Sequence, residues 1–363
     1  MCITDIPQNE IQLASVWLIP HIVLLKGVNP DGAADFREEF WPIYYDAGKF
    51  QDAQGIAQQV VEKSQLLLGE DYPRTLLAMG TLAQTHMELG EFQKAKELEV
   101  MVLEKHTKLL GEDHPETLLT MGNLASAYSE LGEFQKAEKL KVLVLEKRAE
   151  LLGEDHPDTL SAMGNLAKTY SNLGKFREAE ELELLVLEKR SKLLGEDHPD
   201  TLFAMGNLAG TYSNLGEFIK AEELELIVLE KRTKLLGEDH PNTLLAMSNL
   251  AKTYFDLGVF QTAKEIEVPV LEKRRKLLGV DHPETLRAMA NLAVTHSTLA
   301  DLNKALGLEV EVLQKRRQLL GDKHPDTILA MENLVRTYQN LGKREEMEEL
   351  EQLIEDTKKS LYC

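Results

Sequence analysis

In the stretch that starts at Leu160, the apolar residues Leu160, Met163, Leu166, Ala167, Tyr170 and Leu173 recur at the spacing of one helix face. After Gly174 a second apolar run follows, with Phe176 at its start and Ala179, Leu182, Val186 and Leu193 on its stripe. Pro157 stands at a first helical position, where its missing N–H costs nothing, and Asp158 places negative charge in the first turn. Lys189, Arg190 and Lys192 come late in the second run, against the negative end of its dipole, and Gly195 supplies a C-terminal cap. The pattern predicts two helices, A and B, joined by a very short turn. Such a hairpin cannot bury its stripe alone, so it must stack on neighbours.

The neighbours are in the sequence. The string Leu-Leu-Gly ends at Gly69, Gly111, Gly153, Gly195, Gly237, Gly279 and Gly321, each 42 residues after the last. A small residue near the start of helix B recurs in the same register as Ala53, Ala95, Ala137, Ala179, Ala221, Ala263 and Ala305, which lets helices approach closely. The expected fold is an all-α, right-handed superhelical solenoid of antiparallel helix pairs. About eight units are expected over residues 31–363, the first degenerate, with Trp41 and Tyr44 filling its helix A. The last is a polar cap, because Arg344 and Met347 replace the usual phenylalanine and alanine and the segment to Glu355 is rich in glutamate. Residues 1–30 lie outside the repeat and are expected to form a capping segment. Pro269 falls inside helix B, and in the next unit Ala300 replaces the interhelical glycine, so a bend or irregular stacking is expected around residues 259–305.

Composition narrows the function. The apolar share is 43% and the charged share 28%, as in folded proteins. Sixty-one acidic side chains against 41 basic ones give a net charge of −20, which argues against a nucleic-acid or anionic-membrane partner. The apolar segment Ile11–Leu25 is broken by Pro20 and His21 and is shorter than the about 20 residues a membrane helix needs. The two cysteines, Cys2 and Cys363, cannot staple a repeat array, and their scarcity fits a cytoplasmic location.

The assembled residues resemble the tetratricopeptide repeat in the 42-residue variety of kinesin light chains. The resemblance rests on Leu-Gly-Glu-Asp-His-Pro-Asp-Thr-Leu, on Asn165-Leu166-Ala167-Lys168-Thr169-Tyr170, and on Gly174-Lys175-Phe176-Arg177-Glu178-Ala179-Glu180. The wording Thr-Leu-x-x-Met-Gly-Asn-Leu-Ala looks most like the repeat tails of fungal NOD-like signalling ATPases. That resemblance implies a sensor or partner-binding arm. The chain contains no Gly-x4-Gly-Lys-Ser/Thr phosphate loop, and residues 1–30 carry no heptad coiled coil of the kind that docks kinesin light chains on their motor. A stand-alone array and the end of a longer signalling protein both fit these residues; a motor adaptor fits them less well.

No catalytic constellation emerges. His114, His156, His198, His240, His282 and His324 each precede a proline but stand one repeat apart, whereas a zinc site needs ligands converging on one point. They are expected to fix the turn and the helix start. Glu178, Glu180, Glu181 and Glu183 are expected on a solvated outer face. No metal or other cofactor is expected, and an enzyme is not.

The candidate binding stripe is a ladder of asparagines: Asn123, Asn165, Asn207, Asn249, Asn291 and Asn333. Ser161, Asn165, Lys168 and Asn172 lie four, three and four residues apart, on one stripe of helix A, and Asn214 is the counterpart of Asn172. Lys168, Lys252 and Arg336 follow their ladder asparagines by three residues. Asparagine is a poor helix former, so six mid-helix copies cost stability. The resemblance implies that helix A lines a concave groove. The expected function is therefore a protein-interaction scaffold holding an extended or short helical peptide, with an acidic flank facing the basic residues.

Overall fold

The computed structural model describes residues 37–359, so the capping segment expected over residues 1–30 lies outside the described residues. Sixteen helices alternate in the predicted A and B roles among those residues. The A helices are α1 (Arg37–Asp46), α3 (Pro73–Glu88), α5 (Pro115–Glu130), α7 (Pro157–Asn172), α9 (Pro199–Asn214), α11 (Pro241–Asp256), α13 (Pro283–Thr298) and α15 (Pro325–Leu341). The B helices are α2 (Phe50–Leu68), α4 (Phe92–Leu110), α6 (Phe134–Leu152), α8 (Phe176–Leu194), α10 (Phe218–Leu236), α12 (Phe260–Leu278), α14 (Leu302–Leu320) and α16 (Arg344–Lys359). The architecture is the all-helical solenoid of helix pairs that the period requires.

The ends of the helices follow from the punctuation. The imidazole Nδ1 of His156 accepts the backbone N–H of Asp158 at 3.2 Å, and Pro157 opens α7 behind it. Gly174 at φ 72° turns the chain from α7 into α8, and Gly195 at φ 89° ends α8. Ala300 takes the same turn at φ 62°, an uncommon backbone for a residue with a Cβ.

The chain forms two compact units. Among the described residues, one comprises 37–67, Glu88–Glu91 and 258–359; the other comprises Leu68–Met87 and Phe92–Leu257. In the first, Leu271, Leu286, Met289, Leu292, Val312, Met331 and Leu334 share one core, and Ile43, Tyr44, Ala53 and Ile56 form another. In the second, each repeat junction has its own small core, such as Leu160, Met163, Val186 and Ala204. All seven alanines of the ladder, from Ala53 to Ala305, are 0% exposed. The last helix, α16, is mostly exposed and buries only Ile354 and Thr357.

Two expectations, on Leu193 and Glu183, need correction. Helix α12 is helical through Pro269, with the nineteen residues of the other full B helices. Pro269 is only partly buried, which leaves the carbonyl it deprives of an N–H near solvent. Leu193 is exposed, not buried, because a nineteen-residue B helix outruns its sixteen-residue A partner by most of a turn. Glu183 is buried rather than solvated: the inner stripe of α8 is Ala179, Glu183, Val186 and Arg190. One helical turn from an invariantly buried alanine was the signal that could have found it.

Candidate functional site

A concave pocket of about 600 Å³ lies between α7 and α9, in the second unit. Ser161, Asn165, Lys168 and Asn172 line it from α7, and Phe203, Asn207, Thr211 and Asn214 from α9. The four-three-four stripe of the sequence therefore shares a surface with its counterpart one repeat on. A smaller hollow continues the series, with Phe203 and Asn207 facing Leu245 and Asn249 over Glu225 and Arg232.

The ladder asparagines do not all have the same duties. Asn123 lies beside the Glu99 carboxylate, whose pKa it helps lower, and Asn333 Oδ1 accepts from the Arg336 guanidinium at 2.7 Å. The amides of Asn165, Asn207 and Asn249 make no side-chain hydrogen bond among the described residues, and all three are exposed or half-exposed. Asn291 lies in the first unit, where it lines a separate pocket with Arg287 and Asn333. The basic positions differ as well. Lys252 is held by Asp256 at 2.6 Å and Arg336 by Asn333, whereas Lys168 is exposed and makes no ion pair among the described residues.

Beneath the ladder runs a second row that sequence reasoning missed. Glu99, Glu183, Glu225, Glu267 and Glu309 are all buried at one position of helix B, and in each the Oε2 oxygen has no hydrogen-bond partner among the described residues. Beside four of them stands the threonine four residues beyond a ladder asparagine on the next helix A, Thr211, Thr253, Thr295 or Thr337, which works against the effect of burial. Burial pushes the carboxyl pKa of all five up to about 7. In one repeat the position holds Lys141, whose Nζ donates to Thr169 Oγ1 at 2.8 Å. Burial, with help from nearby Lys168, lowers its ammonium to about 8.

A third row ties each B helix to the following A helix. Arg190, Arg232, Arg274 and Arg316 donate to the main-chain carbonyls of Asp200, Asn242, Glu284 and Asp326 at 2.8 to 3.0 Å. These arginines staple the starts of the A helices that carry the stripe.

The tetratricopeptide-repeat model matches six consecutive stretches, 75–116, 117–158, 159–200, 201–242, 243–284 and 285–326. The chain belongs to the tetratricopeptide-repeat family. Among solved structures it is similar to a putative kinesin light chain from Podosopora anserina with nearly identical repeats. That match has 32% identity, covers 56% of this chain and 97% of that one, and has a TM-score of 0.48. It is also similar to the quorum sensor NprR from B. thuringiensis (14% identity, 96% and 97% covered, TM-score 0.60). A signal-transduction ATPase from Pyrococcus horikoshii with a tetratricopeptide-repeat sensor is a further likeness (18%, 97% and 53% covered, TM-score 0.51). No curated protein matches the chain. The family and fold are those of a protein-interaction scaffold, and no helix among the described residues is long and apolar enough to cross a membrane.

Proposed function

We propose that this scaffold captures an extended or short helical peptide segment of another protein along the stripe formed by Asn165, Asn207 and Asn249. The observation that carries the reading is that these three amides line two adjoining hollows and make no side-chain hydrogen bond among the described residues. An asparagine amide both donates and accepts, so it can pair with a peptide main chain at each step whatever the ligand's sequence. Ser161, Phe203 and Leu245 vary from repeat to repeat on the same stripe and would select ligand side chains. Unpaired Lys168, with Lys141 close by, favours an acidic residue there despite the overall charge of −20. Among the structural relatives, NprR has been solved with its cognate peptide NprX.

The test is a pull-down from the source cell with the wild-type array and with Asn165→Ala/Asn207→Ala/Asn249→Ala side by side. Each lost hydrogen bond is worth about 0.5–1.5 kcal/mol, so affinity for a specifically captured partner falls about tenfold or more. Stability stays equal or rises slightly, because alanine is the better helix former. A large drop in melting temperature with capture unchanged would make the ladder structural.

A further inference from the structure

Glu183 lies in the lining of the 600 Å³ pocket beside the Thr211 hydroxyl, and its Oε2 oxygen has no hydrogen-bond partner among the described residues. It is only 6% exposed. The other charged side chains of that lining are both cations. Lys168 comes from α7 and has no ion pair among the described residues. Arg190 comes from α8 itself, is nine-tenths buried, donates to Asp200 O at 3.0 Å and Ser161 Oγ at 3.4 Å, and makes no ion pair among the described residues. The polar groups that α9 gives the pocket, Asn207, Thr211 and Asn214, are all neutral. In a chain with a net charge of −20, this is a pocket whose fixed charges are positive.

Each ligand class meets that arrangement differently. A cationic side chain would be repelled by Lys168 and Arg190. A neutral one would leave both without a counter-charge and the free Glu183 oxygen without a partner. A carboxylate answers all three groups, provided that Glu183 is protonated: an ionised Glu183 would oppose it, whereas the neutral acid offers it an O–H donor.

We infer that this pocket is a proton-linked acid site, in which a ligand carboxylate is bound between Lys168 and Arg190 and accepts a hydrogen bond from protonated Glu183. The inference rests on the peptide-capture reading and adds to it the chemistry of one ligand residue and its regulation by pH. The proton is already on Glu183 below neutrality; above it, one proton is drawn from solvent for each carboxylate bound, and no other bond is made or broken. Burial holds the free carboxyl at about 7, so uptake becomes unfavourable just above neutral pH. The floor position two repeats on is a natural control. Glu267 is also buried, but the lysine of its register, Lys252, is already neutralised by Asp256 at 2.6 Å.

Hexaglutamate, titrated into the full chain by calorimetry at pH 6 and pH 8, reads the site. Binding is expected to weaken about tenfold at pH 8, the factor for one group titrating near 7. At pH 8, two buffers of different ionisation heat should report the uptake of about one proton. Glu183→Gln, neutral at both pH values and still a donor, should keep the pH 6 affinity and lose the pH dependence. Glu267→Gln should behave as wild type, and Lys168→Ala should bind more weakly at both pH values. Hexaglutamate bound equally at pH 6 and pH 8 by wild type and Glu183→Gln overturns the proton-linked site and leaves peptide capture standing on its own asparagine test. No binding at either pH overturns the acid site together with the acidic preference.

Discussion

The histidine-proline edges of the two units look interchangeable in the sequence and are used differently. In the second unit, His114, His156 and His198 accept the cap N–H through Nδ1 and make no further hydrogen bond among the described residues. In the first unit, His282 and His324 make the same cap, and each imidazole Nε2 also meets a carbonyl 236 residues away. His282 reaches Asp46 O at 3.1 Å and His324 reaches Glu88 O at 3.3 Å. Because Nδ1 accepts, the proton sits on Nε2 and that nitrogen donates. The received turns carry Gly48 and Gly90, where an added Cβ would lie 2.1 Å from Pro283 Cδ and 2.8 Å from His324 Cδ2. The residues before the histidines differ too: the open edges read Glu112-Asp113, Glu154-Asp155 and Glu196-Asp197, the occupied ones Val280-Asp281 and Asp322-Lys323. A local motif fixes its own cap, and a distant segment decides whether the rest of its surface is used.

The largest effect should come from filling an occupied edge. Gly48→Ala and Gly174→Ala place a methyl on backbones with nearly equal φ, 69° and 72°, so both bear the same left-handed strain of about 1–2 kcal/mol. Only Gly48→Ala also drives that methyl into Pro283, which adds roughly 1–3 kcal/mol of overpacking or unseats the turn. Ala300, exposed at φ 62°, shows that the turn itself tolerates a methyl. Equal losses in thermal unfolding for the two variants would show that the seat contributes nothing.

Acidity should separate the edges from the glutamate row. Burial holds His282 and His324 below the usual imidazole range, so the stability they contribute is present above about pH 6.5 and lost as pH falls through their lowered values. The buried glutamates work in the opposite sense. Their carboxyls are raised to about 7, so their contribution is complete below about pH 4.5 and is lost as pH rises through 7. Between pH 7.5 and pH 5, hydrogen-exchange protection of the Glu284 amide, which bonds His282, should fall about tenfold. Over the same range, protection around Thr253, the partner of Glu225, should rise, and Glu225→Gln should abolish that rise. Protection moving in one direction at both places would mean that a single global transition is being read.

Much of this was legible in the chain because it is local. The period, the proline starts, the glycine ends and the alanine ladder are short-range patterns, and each is found where the spacing put it. The stripe of Ser161, Asn165, Lys168 and Asn172 followed from helical geometry in the same way, and the structure brings it against Phe203, Asn207 and Asn214. Glu183 was misread because its charge outweighed its phase: one turn from Ala179 it had to be buried, and its threonine partner lies 28 residues on, in another repeat. At Pro269 neighbouring packing keeps α12 helical through a residue that local propensity disfavours. The seats at His282 and His324 could not be read at all, for nothing in a 42-residue unit marks a partner 236 residues away.

The smallest expected effect isolates the second use of the imidazole. Asparagine caps a helix as well as most residues do, so His156→Asn should keep the cap of α7 and change stability by no more than about 0.5 kcal/mol. His282→Asn should keep the cap of α13 equally well, but its shorter side chain cannot also reach Asp46 O. The difference between the two variants is then one N–H to carbonyl bond at a buried seat, about 0.5–1.5 kcal/mol. In a melting curve that is a gap on the order of 2–4 °C, with His282→Asn the lower. The sign is the informative part: the same substitution at the same motif can differ only through what the neighbouring chain has placed on the edge. Should His156→Asn prove the more damaging, the open edge would have to be carrying a contact of its own.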